Sequence, residues 1–397
     1  MKQLTTTCPT PTVMAFCPND KTVHIVETKT WKELYVLDEV GFASTPAPRP
    51  TPHAPPHPSP TTYQQHDLLV SSIDWCGANN KIVTCSHDRN AFVWTLVEKT
   101  KDEPSKWTKS PVHLRIDRAA MHVKWSHDGL RFAVASGSKV VPLCTWDREN
   151  DWWTAKQIKK HKSTVLCVAF HPSNGQLLAT GCADFKCRII STYSGDVDGD
   201  VVNSGPFGTP VQFGESYHEF TALGWVNAVA WSPSGASLAF AAHDSSLHVA
   251  TFAGGKPVIQ SIRFRELPLN SILFVGEAAI IGGGHDFNPM LYTRSNSSTW
   301  ALQKRLDERK EDDKSAIAAS GVSAARQLFQ NKTRSGQDSK AESDLLWTQH
   351  DNAITCLASA STGPGRVVDK VSSSGLDGRL TLWDLGQLEI NLASLSL

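Results

Sequence analysis

One frame recurs along this chain and limits what it can fold into. A turn residue, usually Asp, is followed six positions later by an apolar one. The frame is plainest at Ser86-His87-Asp88-Arg89-Asn90-Ala91-Phe92-Val93-Trp94. It returns at Asp377 and Trp383, Asp286 and Tyr292, Asp184 and Ile190, Asp244 and Ala250, and Asp20 and Val26. A seventh copy carries Ser138 and Cys144. The turn positions 88, 138, 184, 244 and 286 lie 50, 46, 60 and 42 residues apart. Ahead of the frames stand alternating runs such as Ile73-Asp74-Trp75, Val123-Lys124-Trp125, Val168-Ala169-Phe170 and Val229-Ala230-Trp231. Polar turns, for example Ser126-His127-Asp128-Gly129 and Ser232-Pro233-Ser234-Gly235, follow them. Apolar residues at period two, closed by Gly, Asn, Asp and Pro, are the mark of antiparallel hairpins.

This spacing, with Trp-Asp at Trp146-Asp147 and Trp383-Asp384, resembles that of WD-repeat proteins. It predicts an all-β chain, a single seven-bladed propeller over residues 1–397, with one helix-bearing insertion between blades 6 and 7. A lone blade cannot bury its two faces, whereas a closed ring of blades buries them all and limits free sheet edges.

Composition narrows the function. Lys+Arg and Asp+Glu are both 39, so no global excess of positive charge points to nucleic acid. Apolar runs such as Val165–Phe170 are strand-sized, and none approaches the roughly 18 residues of a membrane span. Met1–Thr12 has no apolar h-region, so no secretory signal is expected there. The nine cysteines are odd in number, dispersed and without a CxxC, which reads as reduced, buried thiols; no metal or cofactor is expected.

His66, Ser86 and Asp88 contain the residue types of a hydrolase triad. With Trp94 they also match the hydrogen-bonded set of a repeat blade, in which Asp accepts from turn amides and His, and His bridges to Ser. The trio recurs in partial form with the repeat and has no nucleophile elbow. A structural network is therefore expected and no catalytic residue. Gly282-Gly283-Gly284 opens no helix, so it is not read as a phosphate loop.

Three segments depart from the repeat. In the loop 45–62, eight of the fifteen residues from Pro46 to Pro60 are proline; it is either a tolerated insertion or a ligand for a Pro-recognising partner. Arg148–Lys162 runs from Glu149-Asn150-Asp151-Trp152-Trp153 into Lys156, Lys159, Lys160 and Lys162. These lysines either attract an acidic peptide or are solvated on an ordinary outer strand. The third, 296–345, is read as a charged insertion, with ten charged residues in the eleven of Lys304–Lys314. A helix is expected beyond them, with Val322, Ala325 and Phe329 on one side and Leu328 flanking. That stripe either docks a partner or packs on its own propeller.

Longer stretches carry a more specific resemblance. They include 18–26, 81–94, Glu149-Asn150-Asp151-Trp152-Trp153, 182–189, Gly224-Trp225-Val226-Asn227-Ala228-Val229, Gly282-Gly283-Gly284-His285-Asp286 and Arg326-Gln327-Leu328-Phe329-Gln330-Asn331. From about Val13 to Leu388 the chain resembles the WD-repeat subunit, subunit 1, of the actin-related protein 2/3 complex. The resemblance implies a non-enzymatic propeller in a cytoplasmic seven-subunit assembly of the actin cytoskeleton, with two actin-related proteins and four further small subunits. That assembly nucleates branched filaments on the side of an existing actin filament. It implies that the helix of blades 6–7 protrudes towards the filament or the activating factor. It also implies that acidic tails of nucleation-promoting factors bind near a basic surface, for which Lys156, Lys159, Lys160 and Lys162 are the candidates by charge. The family's first strand has no good match in Met1–Pro11; Leu4–Cys8 alternates and could supply one, with Pro9 and Pro11 shortening its ladder. The rival reading is a generic WD-repeat adaptor, such as a ubiquitin-ligase substrate receptor or an RNA-processing scaffold.

Overall fold

A computed structural model describes residues 5–10, 13–17, 21–27, 30, 32–37, 66–97, 106–198, 207, 212–254, 256–295, 299–307, 348–362 and 368–386. Its strands run in chain order. Blade 1 holds β1 (Thr5–Thr10), β2 (Val13–Cys17), β3 (Val23–Glu27) and β4 (Glu33–Leu37). Blade 2 holds β5 (Val70–Cys76), β6 (Lys81–Ser86), β7 (Ala91–Val97) and β8 (Lys106–Val112). Blade 3 holds β9 (Ala120–Trp125), β10 (Arg131–Ser136), β11 (Val141–Asp147) and β12 (Trp152–Ile158). Blade 4 holds β13 (Val165–Phe170), β14 (Leu177–Cys182), β15 (Lys186–Ser191) and β16 (Ser216–Thr221). Blade 5 holds β17 (Val226–Trp231), β18 (Ser237–Ala242), β19 (Ser246–Thr251) and β20 (Val258–Arg263). Blade 6 holds β21 (Leu269–Gly276), β22 (Ala279–Gly284), β23 (Met290–Arg294) and β24 (Trp300–Arg305). Blade 7 has three described strands, β25 (Ile354–Thr362), β26 (Val368–Gly375) and β27 (Leu380–Asp384). The one helical turn among the described residues is Gly195–Asp198.

Each sheet is an antiparallel meander in chain order. The first strands of the blades, β1, β5, β9, β13, β17, β21 and β25, neighbour one another in turn, and β25 returns to β1, which closes the ring. Side chains tie successive inner strands together. Ser71 Oγ donates to Ala120 O at 2.7 Å, Asn227 Nδ2 to Leu269 O at 3.3 Å and Asn270 Nδ2 to Ile354 O at 3.2 Å. The N-terminal strand exists, and its ladder with β2 breaks register between Thr7 and Thr10, the stretch holding Pro9. Proline has no N–H to give a ladder.

The second strands β10, β14, β18 and β22 are buried at every residue, because each lies mid-sheet with a blade on either side. The apolar core is accordingly divided into layers between blades. Separate clusters fill the junctions from blades 1 and 2 through to blades 6 and 7. Trp75, Trp107 and Tyr35 meet edge-on in the first, and Trp125, Phe132 and Trp153 pack together in the second.

The turns between second and third strands, and the links from one blade's outer strand to the next blade's inner strand, share one end of the ring, the loop face. The frame residue itself sits in the former. One position after it the backbone is left-handed in six blades: Arg89, Lys139, Phe185, Ser245, Phe287 and Gly378 have φ of 72°, 63°, 67°, 57°, 63° and 76°. Only the last is glycine. In blades 2, 4 and 7 the Asp carboxylate accepts the amide two residues on, from Asn90 at 2.8 Å, Lys186 at 3.2 Å and Arg379 at 2.9 Å. That bond fixes a conformation which non-glycine residues otherwise avoid.

Two sequence expectations shift. Trp300–Arg305, read as the start of the 296–345 insertion, is β24, the outer strand of blade 6 paired along β23. Lys304 and Arg305 are therefore strand residues, and Arg305 pairs with Glu266 at 3.0 Å. The loop 45–62 and the segment 308–347, with Val322, Ala325, Leu328 and Phe329, lie outside the described residues.

Candidate functional site

The turn of blade 2 holds the strongest candidate for chemistry. His66 Nδ1 is 2.9 Å from Asp88 Oδ2, and His66 Nε2 is 2.9 Å from the Thr84 hydroxyl. Trp94 Nε1 donates to the same hydroxyl at 3.1 Å. An indole N–H only donates and a carboxylate only accepts, so the chain has one polarity: Trp94 N–H to Thr84, Thr84 O–H to His66 Nε2, His66 Nδ1–H to Asp88. Asp88 Oδ2 also accepts the Asp67 amide at 2.9 Å. Burial pushes the Asp88 carboxyl up, but the hydrogen bond and charge of His66 and the amides of Asn90 and Asp67 outweigh it and hold it below the usual range.

The hydroxyl bridging His66 and Trp94 is thus Thr84, not Ser86. Thr84 and Ser86 lie two apart on β6 and share a face, which is why their roles are easily exchanged. Ser86 Oγ instead donates to Leu68 O at 2.9 Å and accepts the Asp88 amide at 3.2 Å. Thr84 is 0% exposed, so no substrate can reach the hydroxyl of this trio. The arrangement can hold a turn; it cannot attack a carbonyl.

Nor is the set confined to blade 2. In blade 7, His350 Nδ1 is 3.0 Å from Asp377 Oδ2, and the Ser373 hydroxyl lies 2.7 Å from both His350 Nε2 and Trp383 Nε1. Sequence reading missed His350, although His350-Asp351 stands ahead of its frame as His66-Asp67 does. Blade 4 has a broken version. His161 Nε2 meets Thr180 at 3.0 Å, but its Nδ1 has no partner among the described residues. Asp184 is held by Arg188 at 2.9 Å instead, and Arg188 Nε donates to Glu219 at 2.8 Å. Burial, with the Arg188 charge, pulls His161 down to about 4.

The four candidate lysines do not form one patch. Lys159, Lys160 and Lys162 are exposed on the link from β12 to β13, at the loop face. Lys160 pairs with Glu215 at 3.0 Å, and the Lys162 amide donates to Asp184 at 3.1 Å. Lys156 lies on β12, with Nζ 3.2 Å from Ser194 Oγ and 5.8 Å from the Phe213 ring centre. Other exposed cations share the loop face of blades 2 and 3: Arg89, Arg115, Arg118 and Lys139. The Asp117 and Arg118 amides both donate to Ser138 Oγ, at 3.1 and 2.9 Å, which brings these loops together. Sequence reading missed these four because they are far apart along the chain; their shared place beside the frames was the available signal.

A central cavity of about 600 Å³ is lined by the inner strands. Its charged pair is Lys124 and Asp74, 2.9 Å apart, and Asp74 also accepts the Trp125 amide at 2.8 Å. Burial and the Lys124 charge pull the neighbouring His122 down to about 3. No group of three or more His, Cys, Asp or Glu suited to a metal occurs among the described residues. Seven of the eight described cysteines are buried and all are free; burial raises Cys85 to about 12.

The WD domain, G-beta repeat, family model matches residues 58–95, 153–191, 214–249 and 343–384. These cover the frames of blades 2, 4, 5 and 7 and pass over blade 3, whose frame has Ser138. Whole-chain similarity is broader. The chain is 36% identical over 393 residues to actin-related protein 2/3 complex subunit 1B of Arabidopsis thaliana, covering 97% of this chain and 94% of that one. It is 37% identical over 341 residues to subunit 1 of Schizosaccharomyces pombe, covering 82% and 87%. With subunit 1 of Saccharomyces cerevisiae it shares 33% over 343 residues, covering 82% and 85%. Propeller, frames and end-to-end similarity agree, and the chain belongs to the family of actin-related protein 2/3 complex subunit 1.

Proposed function

We propose that the chain is a non-catalytic subunit that supports nucleation of branched actin filaments. Its partners are two actin-related proteins, four further small subunits and the actin filament, in the cytoplasm at the actin cytoskeleton. The observation that carries this reading is the end-to-end similarity to subunit 1 proteins over 97% of the chain. The non-catalytic part is supported by the two complete turn networks, whose histidines and carboxylates are all engaged in structural bonds. Acidic tails of nucleation-promoting factors are assigned to the loop face of blades 2–4, where Lys159 and Lys162 join Arg89, Arg115, Arg118 and Lys139. Cations converging from several loops steer an acidic segment better than a run along one strand. Lys156 and Lys160, already engaged, contribute less. The segment with Val322, Ala325, Leu328 and Phe329 is assigned to filament docking.

The test is reconstitution. The tagged chain should recover two actin-related proteins and four small subunits, and the assembly should accelerate pyrene-actin polymerisation. Val322→Asp with Phe329→Asp should leave incorporation intact and lower nucleation, because charge in an apolar contact is costly. Recovery of a ubiquitin ligase or RNA-processing complex instead would establish the adaptor reading.

A further inference from the structure

The Gly224-Trp225 and His285-Asp286 motifs take no part in the turn networks or the basic surface, yet they meet on the loop face of blades 5 and 6. Leu223, Trp225 and Leu267 are 73%, 51% and 52% exposed there. Trp225 is held in place: its ring stacks on His243 at 5.5 Å, and His243 meets the edge of His285 at 6.1 Å. Leu267 is fixed beside them. Its amide donates to Asp286 Oδ2 at 2.8 Å, the His285 amide to Pro268 O at 3.2 Å, and the Phe264 amide to Ser245 O at 3.1 Å. Gly224 lets its loop lie on the neighbouring turn, since a Cβ there would stand 2.8 Å from Asp244 N. Two loops thus present large apolar side chains to water in a fixed geometry. Such a patch serves no core, and preset aromatic anchors dominate protein contacts.

The rim gives the partner's charge. Arg263 and Arg265 are exposed. Among the described residues Arg265 has no ion-pair partner, and Arg263 reaches only Asp244, at 3.7 Å. The carboxylates at hand are occupied: Asp286 by the Leu267 amide, Glu266 by Arg305.

We propose that this platform docks a segment of another protein in which a large apolar side chain sits among acidic ones. The apolar residue covers Trp225 between Leu223 and Leu267, and the carboxylates reach Arg265 and Arg263. None of the blade 2–4 cations takes part, so this inference stands apart from the acidic-tail assignment.

The test uses the full-length chain and two short fluorescein-labelled peptides of acidic residues, one with a central Trp and its twin with Ser there, followed by anisotropy at low salt. The Trp peptide should bind about fivefold or more tightly than its twin. That gap should vanish in Trp225→Ser and in Leu267→Ser, which sit on different loops, each checked by thermal melting. Arg265→Glu should weaken the Trp peptide, and replacing its acidic residues by lysine should restore binding to that variant. Equal binding of the twins, or a gap that survives both serine variants, overturns the proposal. Equal binding that is lost in Lys159→Glu with Lys162→Glu leaves the acidic-tail assignment standing while this one falls.

Discussion

Replacing Thr84 by Val tests the network of blade 2 at its central atom. The shapes match, so packing is kept, and only the hydroxyl is lost. Trp94 Nε1 and His66 Nε2, which share that oxygen at 3.1 and 2.9 Å, then both lack a partner in a site with no water access. A buried polar group left unpaired costs about 1–3 kcal/mol, so the pair should cost about 2–5 kcal/mol. Ser86→Ala removes a bond to Leu68 O and a 3.2 Å contact from the Asp88 amide, and should cost about 1–2 kcal/mol. Thr84→Ser, which keeps the oxygen and loses one methyl, should stay within about 1.5 kcal/mol of the parent. Urea unfolding followed by far-ultraviolet circular dichroism ranks the three through their midpoints, provided the slopes agree. The reasoning fails if Ser86→Ala proves the most damaging, or if Thr84→Ser is as harmful as Thr84→Val.

Acid should destabilise the propeller through its buried neutral histidines. His161 has its folded pKa lowered from 6.5 to about 4, so its contribution is complete above pH 6.5 and is lost as pH falls towards 4, where the unfolded chain alone takes up the proton. Between pH 6.5 and 5, His161→Gln should flatten the fall in stability by up to about 1.4 kcal/mol per pH unit, and an unchanged slope would count against a neutral His161. Gly224→Ala should cost about 1–3 kcal/mol, since its Cβ would press on Asp244 N, and a melt identical to the parent would show that the loop has room.

The sevenfold frame made the blades legible because strand alternation and turn chemistry repeat wherever the fold repeats. What alternation cannot resolve is which of two same-face hydroxyls meets a ring, and so Thr84 was read as Ser86. Trp300–Arg305 was hidden for a different reason. Its charged end runs straight into the acidic and basic residues that follow, and outer strands, half in water, carry charge without penalty. His350 was obscured because its Asp lies 27 residues on, against 22 in blade 2. The basic loop face and the Trp225 platform are assembled from separate blades, so no window along the chain contains either.

The left-handed turn position has a consequence for how such a surface changes over evolutionary time. Where an Asp carboxylate fixes the turn through the amide two residues on, the side chain between them is relieved of any duty to the fold. Five blades fill it with Arg89, Lys139, Phe185, Ser245 and Phe287, a cation, an aromatic or a small hydroxyl standing on the same backbone shape. Each blade therefore offers one place where mutation is cheap for folding and immediate for recognition. A ring of such places lets a lineage retune one face of the propeller, blade by blade, while the scaffold beneath drifts hardly at all.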